Sequence, residues 1–228
     1  TAQLRPHNPA DLCTKLAPVD YDPTADDTLW RRHIERFLPN ENVRRQVQRD
    51  MGASLPGAVL QEVLPIWYGT GANGKTTTTR VLLEVLGDYA DRAAPNLLVK
   101  SKYERHPTEQ ADLCGLRLAI SVEVDQGKHL AEALVKEHTG GDRKKARFMR
   151  QDFFNFEQSY SLLLIVNHKP IITGTDDGIW RRVRLIPWEY RIPEHERRPQ
   201  EGVVAELVSN GSAVLNWLLQ GFRDWHND

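Results

Sequence analysis

Cysteine is scarce in this chain: Cys13 and Cys114 are the two among 228 residues, with no CxxC pair and no neighbouring histidine cluster. That excludes a disulfide framework and a zinc-ribbon type of site, and the two read as ordinary thiols of a reducing compartment. Long apolar runs are missing too. The longest, residues 162–166, falls far below the roughly 18 residues of a membrane-spanning helix, and the first residues lack the basic-then-apolar pattern of a signal peptide. These absences predict a soluble, cytoplasmic protein with no membrane partner. A charge excess is also absent: 30 Lys and Arg face 31 Asp and Glu, a formal net charge of -1. A protein coated in nucleic acid by bulk electrostatics is therefore excluded. The distribution is less even than the sum, because between residues 136 and 150 Lys136, Arg143, Lys144, Lys145, Arg147 and Arg150 outweigh Glu137 and Asp142, a local charge of +4.

What is present suits one good-sized domain, or one domain with a small satellite, with 40% hydrophobic residues to build a core. The chain opens on Thr1 and not on Met, which predicts a fragment or a processed product. Residues 1–26 are rich in Pro, Asp, Thr and Asn without a sustained period and read as an extended leading segment. Leu29, Trp30, His33, Ile34 and Phe37 recur at helical spacing up to Pro39, and a second helix is expected over 42–51. Beyond residue 57 the elements alternate. Strands are expected at 65–68, 117–124, 161–166 and 182–187, and helices at 75–87, 130–138 and 201–225 with a break at Asn210 and Gly211. The predicted fold is α/β, with a central, mostly parallel β-sheet flanked by helices and a small helical N-terminal portion. The expected division is 1–57 as that N-terminal portion, 58–190 as the core, and 191–228 as a helical segment packed on it.

Gly69, Thr70, Gly71, Ala72, Asn73, Gly74, Lys75 and Thr76 satisfy G-x-x-x-x-G-K-[ST] at every fixed position, after an apolar strand and before a helical run that starts with Lys75, Thr76 and Thr77. Glycines let backbone N–H groups turn inward around phosphates, and the helix N-terminus adds partial positive charge. Lys75 would neutralise the terminal phosphates and Thr76 would offer its hydroxyl to Mg²⁺. Residues 69–77 are thus the candidate nucleotide loop, with ATP and Mg²⁺ as the expected cofactors.

A P-loop alone does not separate a motor from a kinase or a switch. Some fifty residues on, an apolar strand ends in Glu123, Val124 and Asp125, and alternation puts both carboxylates on one face. One would hold the metal and the other would polarise the attacking water; the preference is Glu123 for the metal and Asp125 for the water, an assignment that spacing leaves open. The plain alternative is a solvated strand end. Asn167 follows the third strand, where an amide can bond both a γ-phosphate and a water, although Asn before His168, Lys169 and Pro170 is also good turn chemistry. Arg181 and Arg182 precede the fourth strand and are candidates for an arginine finger, or for surface ion pairs.

Taken in order, Tyr68 through Thr76, Ser121 through Asp125, Lys136 with Thr139 through Asp142 and Arg147, Asn167 through Pro170, and Asp177 through Arg182 resemble the superfamily 3 helicases, specifically the ATPase core of the phage and viral primase-helicases within the AAA+ class. The resemblance spans residues 29–188. It implies a ring, usually a hexamer, that binds ATP between subunits and translocates 3′ to 5′ on single-stranded DNA during replication, with a primase domain elsewhere in the full-length chain. It also implies that residues 140–147 lie in a loop or hairpin projecting into the ring channel. Arg143, Lys144, Lys145 and Arg147 are then the DNA candidates, with Lys144 and Lys145 foremost, and Phe148, Phe153, Phe154 and Phe156 read as the hairpin's core more readily than as stacking surfaces. Two competitors remain: a P-loop kinase of a nucleotide or small metabolite, and a non-catalytic module that uses nucleotide to lock an assembly.

Overall fold

A computed structural model describes residues 4–100, 108–123 and 127–227, with Glu123 described by its backbone alone. Asp125, one of the two expected acids, lies outside the described residues. Two helices, α1 (Thr28–Phe37) and α2 (Glu41–Gly52), precede the first strand, β1 (Leu64–Tyr68). Asn40 caps α2 by accepting from the N–H groups of Asn42 and Val43, and Pro39 keeps α1 and α2 from fusing. Then follow α3 (Lys75–Leu86), β2 (Ala90–Arg92), α4 (Thr108–Ala111), β3 (Leu118–Glu123), α5 (Glu132–Thr139), β4 (Lys144–Ala146), β5 (Phe154–Phe156), β6 (Ser161–Val166), α6 (Asp177–Trp180), β7 (Val183–Pro187), α7 (Gln200–Val208) and α8 (Gly211–His226).

Five strands form one sheet in the order β2-β3-β6-β1-β7, every neighbouring pair parallel, while β4 and β5 make a separate antiparallel hairpin. The α/β class and the central parallel sheet are as expected. A parallel sheet is covered on both faces, so the inner strands β1 and β6 bury side chains to both sides in alternation. Trp67, Leu118, Ile120, Leu163, Ile165 and Ile186 turn to one side, where they meet Val47 and Met51 of α2, Val81 and Val85 of α3, and Leu218 of α8. Leu64, Ile66, Ala119, Leu162 and Leu164 turn to the other, against Leu97, Leu98, Leu113, Val135 and Ile179.

Pairing register sets what the sheet can present. Tyr68 stands opposite both Val166 and Pro187, and Glu123 opposite Val166, so β1, β3, β6 and β7 end level with one another. The residues that follow these strands share one edge, at the carboxyl ends where open parallel sheets bind ligands. The expected N-terminal portion is packed intimately into the core: α2 and α8 approach so closely that a Cβ on Gly52 would lie 2.2 Å from the Phe222 nitrogen, and one on Gly221 2.0 Å from the Gln48 carbonyl. No single helix among the described residues is long and apolar enough to cross a membrane; the bent pair α7 and α8 meets the length and composition test only jointly.

Candidate functional site

At the carboxyl edge of the sheet, the loop from Gly69 to Thr77 curls between β1 and the N-terminus of α3. Its shape is held from the extension of β7. The Trp188 N–H donates to the Tyr68 carbonyl, the Ile192 N–H to the Ala72 carbonyl, and the Asn73 carboxamide to the Trp188 carbonyl, each at 2.8 Å. Asn73 is buried, and its oxygen accepts from the Lys75 ammonium at 3.1 Å. The side chain of Asn73 is thus spent on building the loop, which leaves its backbone for any ligand. Glycine is required at position 74, where φ is 80° and a Cβ would lie 2.5 Å from the Phe37 ring of α1.

Lys75 is buried and donates to the Gly69 carbonyl as well as to Asn73. Burial pulls its ammonium down to about 8. Thr76, by contrast, is exposed, and together with Gly71, Gly74 and Lys75 it lines a cavity of about 440 Å³. Asn167, exposed at the end of β6, borders the same cavity, as do Val122 and Val166. A site with one hydroxyl beside the glycine-rich loop, at a strand edge where Glu123 ends β3, fits Mg²⁺, which takes few protein ligands and keeps its waters. No cluster of three or more His, Cys, Asp or Glu that would hold a metal by itself occurs among the described residues.

Two further residues on this cavity, Arg197 and Arg198, carry no motif that would have marked them, and sequence reasoning passed them by. Their approach depends on the turn through Glu194–Glu196 that returns the chain from β7 towards the loop. Arg198 pairs with Glu206 at 2.6 Å.

Residues 1–39 match the family described as D5 N terminal like. A protein of Acanthamoeba polyphaga mimivirus, named a candidate helicase L207/L206, is 25% identical over 225 residues, which is 96% of this chain and 23% of that protein. Another, named a candidate primase C962R, from African swine fever virus isolate Tick/Malawi/Lil 20-1/1983, is 25% identical over 173 residues, 73% of this chain and 18% of that one. These matches make the chain similar to the D5-type primase-helicases. It spans about a fifth of the length of these relatives. The apo C-terminal region of NrS-1 shares the fold, with a TM-score of 0.68 at 11% identity over 89% of this chain and 47% of that one.

In this chain the basic stretch forms a hairpin, with Lys144 opposite Phe156, Lys145 opposite Asn155 and Ala146 opposite Phe154. Lys144 corrects the sequence reading. Its side chain is 3% exposed, and its ammonium donates to the Glu137 carbonyl near the end of α5, 3.9 Å from the Glu137 carboxylate. Burial lowers its pKa, with Glu137 and Asp142 opposing the shift. A lysine anchored inward cannot meet a DNA phosphate. Lys145 and Arg147 point the other way, both over the Phe153 ring at 5.0 and 4.9 Å. Lys136 pairs with Asp176 at 2.8 Å, so the usable patch is smaller than the local +4. Phe154 and Phe156 are half-buried, as a hairpin core requires, whereas Phe148 and Phe153 are 44% and 50% exposed.

The arginine pair also divides. Arg182 is buried and spent on the Thr139 hydroxyl, the Gly178 carbonyl and Glu62, so it braces α5 and α6 and is not free to act as a finger. Arg181 is 63% exposed and, among the described residues, its side chain reaches Glu62, at 2.9 Å. Val183 pairs with Leu64, so Arg181 sits at the amino edge of the sheet, one strand length from the loop that follows Tyr68. At about 3.3 Å per residue that is more than 15 Å, beyond reach of its own cavity.

His33 of α1 bonds the Thr78 hydroxyl of α3 at 2.9 Å and stacks on Trp30. Burial, with a smaller contribution from Arg36, lowers it to about 4. A histidine depressed below its ordinary 6.5 favours the fold above pH 6.5, and that contribution disappears as the pH falls towards 4. Between pH 7 and 4.5 the loss should be about 2 kcal/mol. His33→Gln keeps a partner for Thr78 without titrating, so urea unfolding should show a smaller acid loss in the variant by that amount; an equal loss in both proteins would remove His33 as the cause.

Proposed function

We propose that this chain is the ATP-driven motor portion of a viral or phage-type replication protein, hydrolysing ATP between subunits of a ring, expected to be a hexamer, and moving along single-stranded DNA. In this reading 58–190 is the motor core, 1–57 and 191–228 are the helical layers packed on it, and the primase domain belongs to the remainder of a full-length protein. The supporting observation is one of register. The P-loop, the end of β3 with Glu123, and Asn167 lie level at one sheet edge beside a single cavity.

The residues divide the work as follows. The backbone of 69–77 and the N-terminus of α3 cradle the phosphates, and Lys75 leaves the Gly69 carbonyl for a phosphate oxygen, a stronger acceptor. Thr76, with an acid from Glu123 or Asp125, would hold Mg²⁺, which would supply charge neutralisation on the phosphates. Asn167 orients the lytic water, and Arg181 of one subunit serves the neighbour's γ-phosphate. Coupling to DNA follows from connectivity: β5 leads through residues 157–160 into β6, so the hairpin and Asn167 are the two ends of one segment. That joint is stiff, because Gln158 donates to the carbonyls of His138 and Tyr160 and the Tyr160 hydroxyl bonds His138. A change at Asn167 therefore reaches Lys145 and Arg147 along a strand and not through a flexible loop.

The test is ATP turnover with and without single-stranded DNA, paired with the solution mass in the presence of both. DNA-stimulated turnover in an oligomer is the expected result. Phosphoryl transfer to a small acceptor with no response to DNA would favour a kinase and sink the motor.

A further inference from the structure

Between Asn167 and Arg181 the chain runs along α5, and the two segments are joined in the same order from end to end. The parallel pairing of β3 with β6, which sets Glu123 opposite Val166, resumes past the sheet at a bridge between His129 and Ile171, where the Leu130 N–H donates to the Ile171 carbonyl at 2.9 Å. Glu132, Lys136 and Thr139 then recur at i, i+4 and i+7, which is one face of α5. Glu132 holds Thr173 and Gly174, Lys136 pairs with Asp176 at 2.8 Å, and the Thr139 hydroxyl accepts from Arg182 at 3.1 Å. At about 1.5 Å per residue α5 is about 12 Å long. It is a strut between the carboxyl edge of the sheet, where Asn167 stands, and the amino edge, where Arg181 stands.

The grip at Glu132 is the strongest of these. One carboxylate oxygen accepts from the Thr173 N–H at 3.0 Å, the Thr173 hydroxyl at 3.1 Å and the Gly174 N–H at 2.7 Å, and Lys100 donates to the same hydroxyl at 3.2 Å. These donors, the Gly174 N–H foremost, hold the carboxyl below its ordinary range, so it is charged throughout neutral pH. Residues 172–175 belong to no helix or strand, and the carboxylate stands in for the ladder that a strand would supply. On its other side Gly174 meets the finger candidate's neighbour: its carbonyl accepts from the Trp180 indole at 3.0 Å. Asp176 completes the connection by capping α6, accepting from the Ile179 N–H at 3.2 Å. Glu132 is not among the residues that line the cavity beside the P-loop, so this chain of contacts leads away from the nucleotide and ends at Arg181.

We propose that Glu132 is a positioning residue for Arg181: by gripping Thr173 and Gly174 it sets where Trp180 and Arg181 stand on the face offered to a neighbouring subunit. The proposal rests on the reading of Arg181 as the group that serves the neighbour's γ-phosphate.

Two variants release the grip by different routes. Glu132→Ala removes the acceptor, whereas Gly174→Ala keeps it but places a methyl 2.0 Å from a Glu132 oxygen, so the flexible carboxylate must swing away. In each, kcat for ATP should fall about 10–100-fold while KM stays within about twofold, and Glu132→Gln, which keeps an acceptor oxygen, should recover most of the rate. Mixing decides the role. A Lys75→Ala subunit has a damaged site of its own and an intact Arg181, and a Glu132→Ala subunit has the reverse defect. In randomly mixed oligomers about a quarter of the sites join an intact loop to a well-placed Arg181, so the mixture should turn over ATP several-fold faster than the mean of the two proteins kept apart. Arg181→Ala mixed with Lys75→Ala is the reference and should recover in the same way; Glu132→Ala mixed with Arg181→Ala should not, because both lack the same contribution. If the reference gains nothing, the action of Arg181 on a neighbour is overturned, and the role of Glu132 with it. If the reference recovers while Glu132→Ala keeps wild-type kcat or fails to recover with Lys75→Ala, the role of Glu132 alone is overturned. Gly174→Ala takes the place of Glu132→Ala in the same mixtures if the latter does not fold, and unfolding of both would make the grip structural and overturn the proposal as well.

Discussion

Lys75→Ala should reduce ATP turnover by about 10²–10³-fold while leaving the fold at least as stable as wild type. The two halves of this expectation have the same origin. The ammonium is buried, held by the Gly69 carbonyl and Asn73, and burial lowers it to about 8. In the ligand-free chain that charge is poorly solvated, so its removal relieves a desolvation penalty. With a triphosphate in the cavity the same charge meets phosphate oxygens and stabilises the charge of the transferring phosphoryl group, and the alanine loses that interaction in full. The pH dependence carries the sign. Phosphate binding favours the charged amine, so above pH 8 wild-type binding must take up a proton, and affinity should fall by up to about tenfold per pH unit. Single-turnover hydrolysis and nucleotide titration from pH 7 to 9.5 measure both. An alanine variant retaining more than a tenth of wild-type turnover would remove Lys75 from the chemistry, and a flat affinity profile across pH 8 would remove the lowered pKa.

Why some of this site was legible in the sequence and some was not follows from the range of the forces involved. The P-loop is local: its glycines, Lys75 and Thr76 are contiguous, and the strand before it and helix after it have strong periods, so β1, α3, β6 and β7 fall within a residue or so of their expected bounds. α5 begins at Glu132 and not at 130 because the backbones of His129 and Leu130 are engaged in bridges to Ile171 and Val99. β2 was missed altogether: Ala90–Arg92 is three residues long with two exposed charges, and only pairing with β3 makes it a strand. Long-range contacts were invisible. Nothing in the composition of 28–37 says that Phe37 will rest on Gly74, or that Arg197 and Arg198 will return to the cavity. Lys144 and Arg182 reverse their expected roles for a related reason. A cation in a motif is read as facing a ligand, but one next to a helix end with unsatisfied carbonyls, or beside a buried hydroxyl, can turn inward and be held there.

That inward turn changes which substitutions should weaken DNA binding. Lys145→Ala combined with Arg147→Ala should lower single-stranded DNA affinity and reduce the slope of log K against log salt by about 1.4 for each subunit on the strand, from roughly 0.7 for each phosphate no longer neutralised. Both cations rest on the Phe153 ring at about 5 Å. A cation–π contact at an exposed site contributes only about 0.5–1 kcal/mol, so a phosphate with its released counterions can displace it. Arg143 is a weaker candidate. It lies 3.6 Å from Glu157 with both side chains largely exposed, a pair of little energetic consequence, and the adjacent carboxylate opposes a phosphate. Lys144→Ala should behave in the opposite way, leaving the salt slope unchanged and lowering the unfolding midpoint, because the Glu137 carbonyl loses its buried donor. Fluorescence anisotropy on an oligonucleotide across a salt series, with thermal unfolding of the same variants, separates the two roles. If Lys144→Ala flattens the slope and the Lys145, Arg147 double variant does not, the hairpin presents its other face to DNA, and the route from Asn167 through β6 must end on different side chains.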